Sequence, residues 1–264
     1  MIPKIIHYCW IGGTPLPEIA KKCIESWKKC CPDYEIREWN ESNYDFTQNV
    51  YMKEAYEVKK WGFVPDYARL DIIYRYGGFY LDTDVEMLKS LDPFCTEKFY
   101  MGCEAREAVS PGLGFGAERG TPLLKEMMDS IYGDRHFICN DGSLDVTPSP
   151  RLNTSFLREK GLRLDGDIEK LDCGITIYPA EYFAPKDFKT GQVVLTDKTY
   201  SIHHYDASWM EPEDKQVLRI KWAMEKYKGV GKIVTYTSTK LLGLKRHLRM
   251  QGLQGTIQYI RDKR

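Results

Sequence analysis

No stretch of the 264 residues approaches the roughly 18 apolar positions that a membrane-spanning helix needs. The first ten residues, Met1 to Trp10, lack a separate basic region, a long apolar core and a small-residue cleavage site. They are not expected to act as a secretion signal. None of the eight cysteines (9, 23, 30, 31, 95, 103, 139, 173) has C-x-x-C spacing. That argues against a structural zinc and for reduced thiols, several in the core, as in a cytosolic protein. There is no internal repeat and no low-complexity tract. At 42% hydrophobic and 29% charged residues the composition is that of an ordinary folded chain, not a disordered one. The length suits one large α/β domain or a domain with a small appendage.

The formal net charge is zero, but it is unevenly spread. Residues 228–264 hold nine Lys/Arg and one acid, Asp262, which leaves 29 bases and 37 acids for the rest. An acidic body with a basic tail points to an anionic surface as partner. No apolar periodicity is lost there. Between Val230 and Met250, Ile233, Tyr236, Leu241, Leu244 and Leu248 interleave with Lys232, Lys240, Lys245, Arg246 and Arg249. This is the pattern of a basic amphipathic helix lying on an anionic cytoplasmic membrane. Nucleic acid is a poorer fit, because the basic residues are confined to the tail and no binding motif accompanies them.

The body alternates strand-like and helix-like segments, which implies an α/β sheet domain over residues 1–210 and a helical extension over 211–264. Residues 2–10 read as a buried strand ending in a glycine turn, 18–29 as a helix, 34–39 as a strand and 50–60 as helical. Asp66 to Tyr76 reads as a helix with Leu70, Ile73 and Tyr74 inward, capped by Gly77-Gly78. Short strands are expected near 99–104, 113–117, 174–178 and 199–203, a helix over 123–131, and a loop over 141–153. A second helix start is expected at Glu211-Pro212-Glu213-Asp214.

Four segments carry chemistry. After the double glycine, Phe79-Tyr80-Leu81 delivers Asp82 and Asp84 beyond the apolar run of a strand. Alternation would put both carboxylates on one side, with Thr83 opposite, as a hard divalent cation requires. Asp66 and Arg69 share a helix face, and spacing alone makes them a weak surface pair. Asp71 and Arg75 form a similar pair. In His7-Tyr8-Cys9-Trp10-Ile11-Gly12-Gly13, an indole could stack on a nucleobase and the glycines could approach phosphate or ribose. In Ser201 to Trp209, His203 or His204 could complete a metal's coordination, and Ser208 and Trp209 could meet a phosphate.

Taken together, the blocks I-P-K-I-I-H-Y-C-W-I-G-G (2–13), D-Y-A-R-L-D-I-I-Y-R-Y-G-G-F-Y-L-D-T-D (66–84) and H-H-Y-D-A-S-W (203–209) resemble one family. It is the DXD-containing glycosyltransferases of glycosyltransferase family 32, with the clostridial glucosylating toxins as distant relatives. A weaker match, G-F-G-A-E-R-G-T-P-L-L, spans 114–124. The resemblance implies a GT-A, Rossmann-like fold and a metal–nucleotide-sugar complex on the D-x-D motif. It places Trp10, Ile11 and Gly12 at the donor base, and Asp66 and Arg69 at the donor sugar. Tyr80 and Asp82 would lie at ribose or sugar, and Ser208 and Trp209 at the diphosphate. Asp82, Asp84 and one of His203 and His204 would hold Mn²⁺ or Mg²⁺. The family pattern departs at Gly114, where a polar residue is usual, and at residues 147–155, which lack a Gly-Pro. Both departures lie on the sugar and acceptor side.

The implied reaction moves a hexose with retention, from a UDP-sugar by analogy, to a glycan or lipid-linked acceptor in capsular polysaccharide synthesis. The implied location is cytoplasmic, peripheral on the inner face of the membrane. Rival readings are a protein-modifying glycosyltransferase, a non-catalytic sugar- or nucleotide-binding relative, and a haloacid-dehalogenase-type phosphohydrolase. The last would use Asp82 as nucleophile and need a later acidic pair, for which Asp165-Gly166-Asp167 is the nearest candidate.

Overall fold

Four of the five residues of β1 (Ile5–Cys9) are buried, because the strand has a parallel neighbour on each side, β2 (Glu35–Trp39) and β3 (Gly78–Tyr80). In the computed structural model, which describes residues 1–104, 108–207, 210–227 and 229–262, these strands begin a seven-stranded mixed sheet. Its order is β2-β1-β3-β6-β5-β8-β7, with β5 at Phe99–Glu104, β6 at Ala108–Ala117, β7 at Glu169–Lys170 and β8 at Thr176–Tyr178. A separate two-stranded ladder pairs β4 (Val85–Met87) with β9 (Ser201–His203). The α/β class expected from the sequence is the class observed.

Helices cover both faces. Alternation along β1 sends Ile6 and Tyr8 toward α1 (Glu18–Cys30), where they meet Cys23, Ile24 and Trp27. Cys9 faces the opposite layer with Trp39 and the buried side of α3 (Pro65–Tyr76). That layer also takes residues from α2 (Val50–Glu57), α4 (Pro122–Tyr132) and α5 (Ser149–Glu159). A short α6 (Ala180–Phe183) follows β8. Compact units divide the chain into residues 1–186 with 193–206, and residues 187–192 with 207–264. The second unit holds α7 (Pro212–Met224) and α8 (Val230–Asp262), with a non-helical Gly252 inside α8.

Helix α3 starts with Pro65 and Asp66 in its first turn and ends with Arg75 in its last, in keeping with the helix dipole. It stops at Gly77, whose φ of 68° is costly for any other residue. At Gly78 an added Cβ would lie 2.6 Å from the carbonyl oxygen of Ile5, so β3 can close on β1 only without a side chain there. Tyr74, expected to point inward, is only half-buried, whereas Leu70 and Ile73 are fully buried. The loop expected over 141–153 is corrected in part: α5 already begins at Ser149, with proline in its first turn. A proline there forfeits only an amide that lacks an intrahelical partner anyway.

His7 locks the β1–β2–β3 junction. Its Nδ1 accepts the indole N–H of Trp39 at 3.0 Å, so Nε2 carries the proton and donates to the Gly77 carbonyl at 2.9 Å. Burial lowers its pKa to about 4. The folded state therefore favours neutral His7, and the unfolded state binds more protons between about pH 6.5 and pH 4. The stabilisation is full above pH 6.5 and is lost as the pH falls. Urea unfolding of wild type and His7→Gln at pH 7 and about pH 4.5 checks this, with their stability difference expected to shrink by about 2–3 kcal/mol.

Candidate active site

The strand order reverses between β1 and β3: β1 leads to β2 on one side, and β2 leads to β3 on the other. Ligands of open α/β sheets sit beyond the carboxyl ends of the strands at such a reversal. Trp10 to Gly12 follow β1 at that point, and Asp82 to Asp84 follow β3.

The D-x-D acids leave the sheet earlier than strand alternation implies. Leu81 N–H still donates to His7 O at 3.1 Å and Asp82 N–H to Gly112 O at 3.0 Å. Asp82 O then accepts Val85 N–H at 3.1 Å, which makes 82–85 a turn. The carboxylates converge through that turn, and Val85 goes on to pair with His203 across the β4–β9 ladder. One ligand atom from each of Asp82, Asp84 and His203 lies within 4.8 Å of the others.

Asp84 accepts twice, from Asp206 N–H at 2.7 Å on Oδ2 and from His203 Nε2 at 3.2 Å on Oδ1. Burial alone would raise its pKa, but the His203 imidazole and these hydrogen bonds outweigh it and hold Asp84 at about 2. For His203, burial pulls down, and the facing carboxylates of Asp84 and Asp82 prevail and raise it. Its Nδ1 is buried without a hydrogen-bond partner, and its ring packs on Tyr205 at 4.2 Å. Asp82 keeps 30% of its side chain exposed and lies 3.5 Å from Arg69. Burial raises its pKa against the pull of Arg69. Two carboxylates and one imidazole form a mixed O/N donor set that suits Mn²⁺ well and Mg²⁺ with added water or phosphate oxygens.

Asp66 and Arg69 are not the surface pair their spacing implied. Both side chains are 6% exposed, 3.1 Å apart, on the buried side of α3. Arg69 Nε donates to Pro65 O at 3.0 Å, which aims the guanidinium at Asp82, and the same group lies over the Tyr80 ring at 5.2 Å. Burial raises Asp66 to about 6, opposed by Arg69. Tyr80 is itself 1% exposed, beneath this cluster. Asp71 and Arg75 pair at 2.8 Å, and Asp71 also accepts the Tyr44 hydroxyl at 2.6 Å, a structural tie.

Trp10 is half-buried at the end of β1, with its indole N–H on Thr14 O at 2.5 Å. Ile11 is buried, and Gly12 N–H donates to Glu41 at 2.7 Å. The two histidines separate. His203 faces the D-x-D acids, while His204 Nε2 pairs with Glu86 at 2.8 Å. Ser208 and Trp209 lie outside the described residues. Asp167 lines a cavity of about 300 Å³ with Glu169 and Glu181, and neither it nor Asp165 joins the D-x-D cluster.

Sequence reasoning missed three contributors. A Cβ on Gly112 would sit 2.1 Å from Asp82 Oδ2, so the Asp82 carboxylate rests on bare backbone. The alternation of Gly112, Gly114 and Gly116 was a readable cue, since all three press against residues of the 79–82 segment. Glu104, at the end of β5, has its pKa raised by burial and faces His203. Ser149, at the start of α5, hydrogen-bonds Asp66. Neither had a local signal.

Residues 17–100 match the model for the glycosyltransferase sugar-binding region containing the DXD motif. Over those residues the chain is similar to that family. Among curated relatives, inositol phosphoceramide mannosyltransferase 3 of Schizosaccharomyces pombe is 29% identical over 141 residues, covering 49% of this chain and 37% of the relative. Inositol phosphoceramide mannosyltransferase 1 of the same yeast is 27% identical over 149 residues, covering 52% and 45%. An uncharacterized glycosyltransferase, L373, of Acanthamoeba polyphaga mimivirus is 32% identical over 106 residues, covering 38% and 42%. The chain thus spans less than half the length of these relatives. Among solved structures, the PaToxG glycosyltransferase is similar at 18% identity and a TM-score of 0.44, over 60% of this chain and 69% of that one. A glycosyltransferase involved in glycosylation of the major capsid of PBCV-1 is similar at 11% identity and a TM-score of 0.42, over 82% and 100%.

The two histidines are separable by experiment. His203→Ala is expected to weaken Mn²⁺ binding roughly tenfold or more, and His204→Ala by no more than about twofold. Calorimetric titration of Mn²⁺ into each variant checks the difference.

Proposed function

We propose that the protein is a metal-dependent, retaining glycosyltransferase of GT-A type. It would move a hexose from a nucleotide-sugar to a glycan or lipid-linked acceptor. The carrying observation is the convergence of Asp82, Asp84 and His203 at the sheet's reversal point, with the buried Asp66–Arg69 pair beside them. The names of two relatives, inositol phosphoceramide mannosyltransferases, favour mannose as the hexose and a lipid-anchored acceptor. Synthesis of a capsular or other surface glycan on the cytoplasmic side of a membrane fits that acceptor.

Asp82, Asp84 and His203 would hold Mn²⁺ or Mg²⁺, which when bound supplies positive charge beside the departing diphosphate. Arg69, fixed by Pro65 O and Asp66, orients the donor sugar and adds a second cation near the breaking glycosidic bond. Asp66 accepts a sugar hydroxyl in its ionised form. Trp10 offers its ring to the base, and the backbone at Ile11 and Gly12 lies alongside. Attack comes from the face the leaving group vacates, and the acceptor's proton passes to the departing phosphate oxygen. The phosphohydrolase reading loses ground, because Asp165 and Asp167 do not join the D-x-D cluster among the described residues.

Thermal unfolding with UDP and with GDP, each with and without Mn²⁺, tests the proposal. A ligand at 100 times its Kd adds about 2.7 kcal/mol. The expected result is a rise with one nucleotide only when Mn²⁺ is present. No rise with either would remove the nucleotide-sugar reading.

A further inference from the structure

Helix α8 meets α7 along one side only. Arg246 reaches Asp214 at 2.6 Å, and Arg249 reaches Glu213 at 2.8 Å and Glu211 at 2.9 Å. These two arginines therefore belong to the α7–α8 packing, not to the outward basic face that the sequence alone suggested. Elsewhere around the helix a different surface is bare. Val230, Ile233, Leu241, Leu244 and Leu248 are 65, 65, 68, 37 and 47% exposed. At 3.6 residues per turn they fall within an arc of about 80°. Lys240 and Lys245 project on opposite flanks of that arc, Lys240 with its ammonium 5.4 Å above the Tyr236 ring.

The charge pattern selects the occupant. Between Glu225 and Asp262 there is no acidic residue. A second copy of α8 laid on the stripe would set lysines against lysines with no carboxylate on either helix to pair them. A polynucleotide would take the lysines and leave the leucines in water. Acyl chains match the stripe, and lipid phosphates match the flanking ammonium groups, which reach outward past their own aliphatic stems. No helix among the described residues is long and apolar enough to cross a membrane, so the fit is to a bilayer surface. We propose that α8 docks in the plane of an anionic bilayer through Val230, Ile233, Leu241, Leu244 and Leu248, with Lys240 and Lys245 on the headgroups.

Flotation of the full chain with vesicles of phosphatidylcholine plus phosphatidylglycerol, and of phosphatidylcholine alone, tests this. Binding is expected to the anionic vesicles only and to weaken with salt. Lys240→Gln with Lys245→Gln is expected to lower partitioning roughly 25-fold, about fivefold per lysine. Leu241→Asp with Leu244→Asp is expected to abolish it at every salt concentration. Both double variants should keep the wild-type unfolding midpoint and the wild-type Mn²⁺–nucleotide shift, so the result is independent of the proposed reaction. Four outcomes would each overturn the proposal: no binding, equal binding by wild type and both variants, a leucine-dependent dimer without vesicle binding, or lysine-dependent binding of an RNA oligonucleotide without vesicle binding.

Discussion

Mn²⁺-dependent turnover is expected to fall about a thousandfold in Asp84→Asn while the fold persists. The substitution is close to isosteric, and the amide oxygen can still accept the Asp206 N–H that Asp84 accepts at 2.7 Å. What disappears is the charge. Asp84 is held ionised, with a pKa of about 2, although it is buried, so its negative charge is present throughout any working pH range. Removing it would cost a cation held as proposed its most fully ionised ligand, and would deprive His203 of the carboxylate that keeps its pKa up. Two measurements check the prediction: donor turnover under saturating Mn²⁺, and Mn²⁺ affinity by titration. Near-wild-type turnover that still needs Mn²⁺ would remove Asp84 from the site.

Gly112→Ala is the second large effect and acts without touching any charge. The new methyl would sit 2.1 Å from Asp82 Oδ2, 3.0 Å from its Cγ and 3.1 Å from Arg69 Nη1. The backbone of β6 does not oppose alanine, because φ at Gly112 is not positive. Relief must therefore come from Asp82 and Arg69. A displacement of about 1 Å at a reacting centre costs about a hundredfold in rate, whereas overpacking by one methyl costs about 1–3 kcal/mol of stability. The expected variant is folded, somewhat less stable and nearly inactive. Gly243→Ala, where an added Cβ meets nothing within 4 Å, serves as the control and keeps full turnover. Full activity in Gly112→Ala would mean that the Asp82 carboxylate is not where the chemistry needs it.

Much of the fold was legible. The helix read over 123–131 is α4 at Pro122–Tyr132, and the double glycine marks the end of α3 because only that residue accepts the turn. Proline misled at 148–150, where it starts a helix instead of breaking one. The D-x-D pair was visible as a motif, but not its turn, since a period of two says nothing about where a strand stops. Spacing put Asp66 and Arg69 on one helix face without saying that the face is buried against the sheet. Adjacent histidines point to opposite sides of a strand, and only the register of β9 on β4 shows that His203 is the one turned to Asp84. Gly112 carried a cue in the glycine alternation through Gly116, but which carboxylate it meets is set by a tertiary approach from another strand.

The β4–β9 ladder joins segments far apart in the chain; the Glu86–His204 side-chain pair beside it spans 118 residues. Contacts of such separation must meet the loop-closure cost before they contribute, so they form late in folding. During synthesis the D-x-D turn exists for a long interval as an open half, without its imidazole. The site is completed only when residues beyond 200 have been made and have found β4. A cation seated between Asp84 and His203 would then be a clasp on the last ladder to close, so that occupancy of the site and retention of the segment from Ser201 onward rise and fall together.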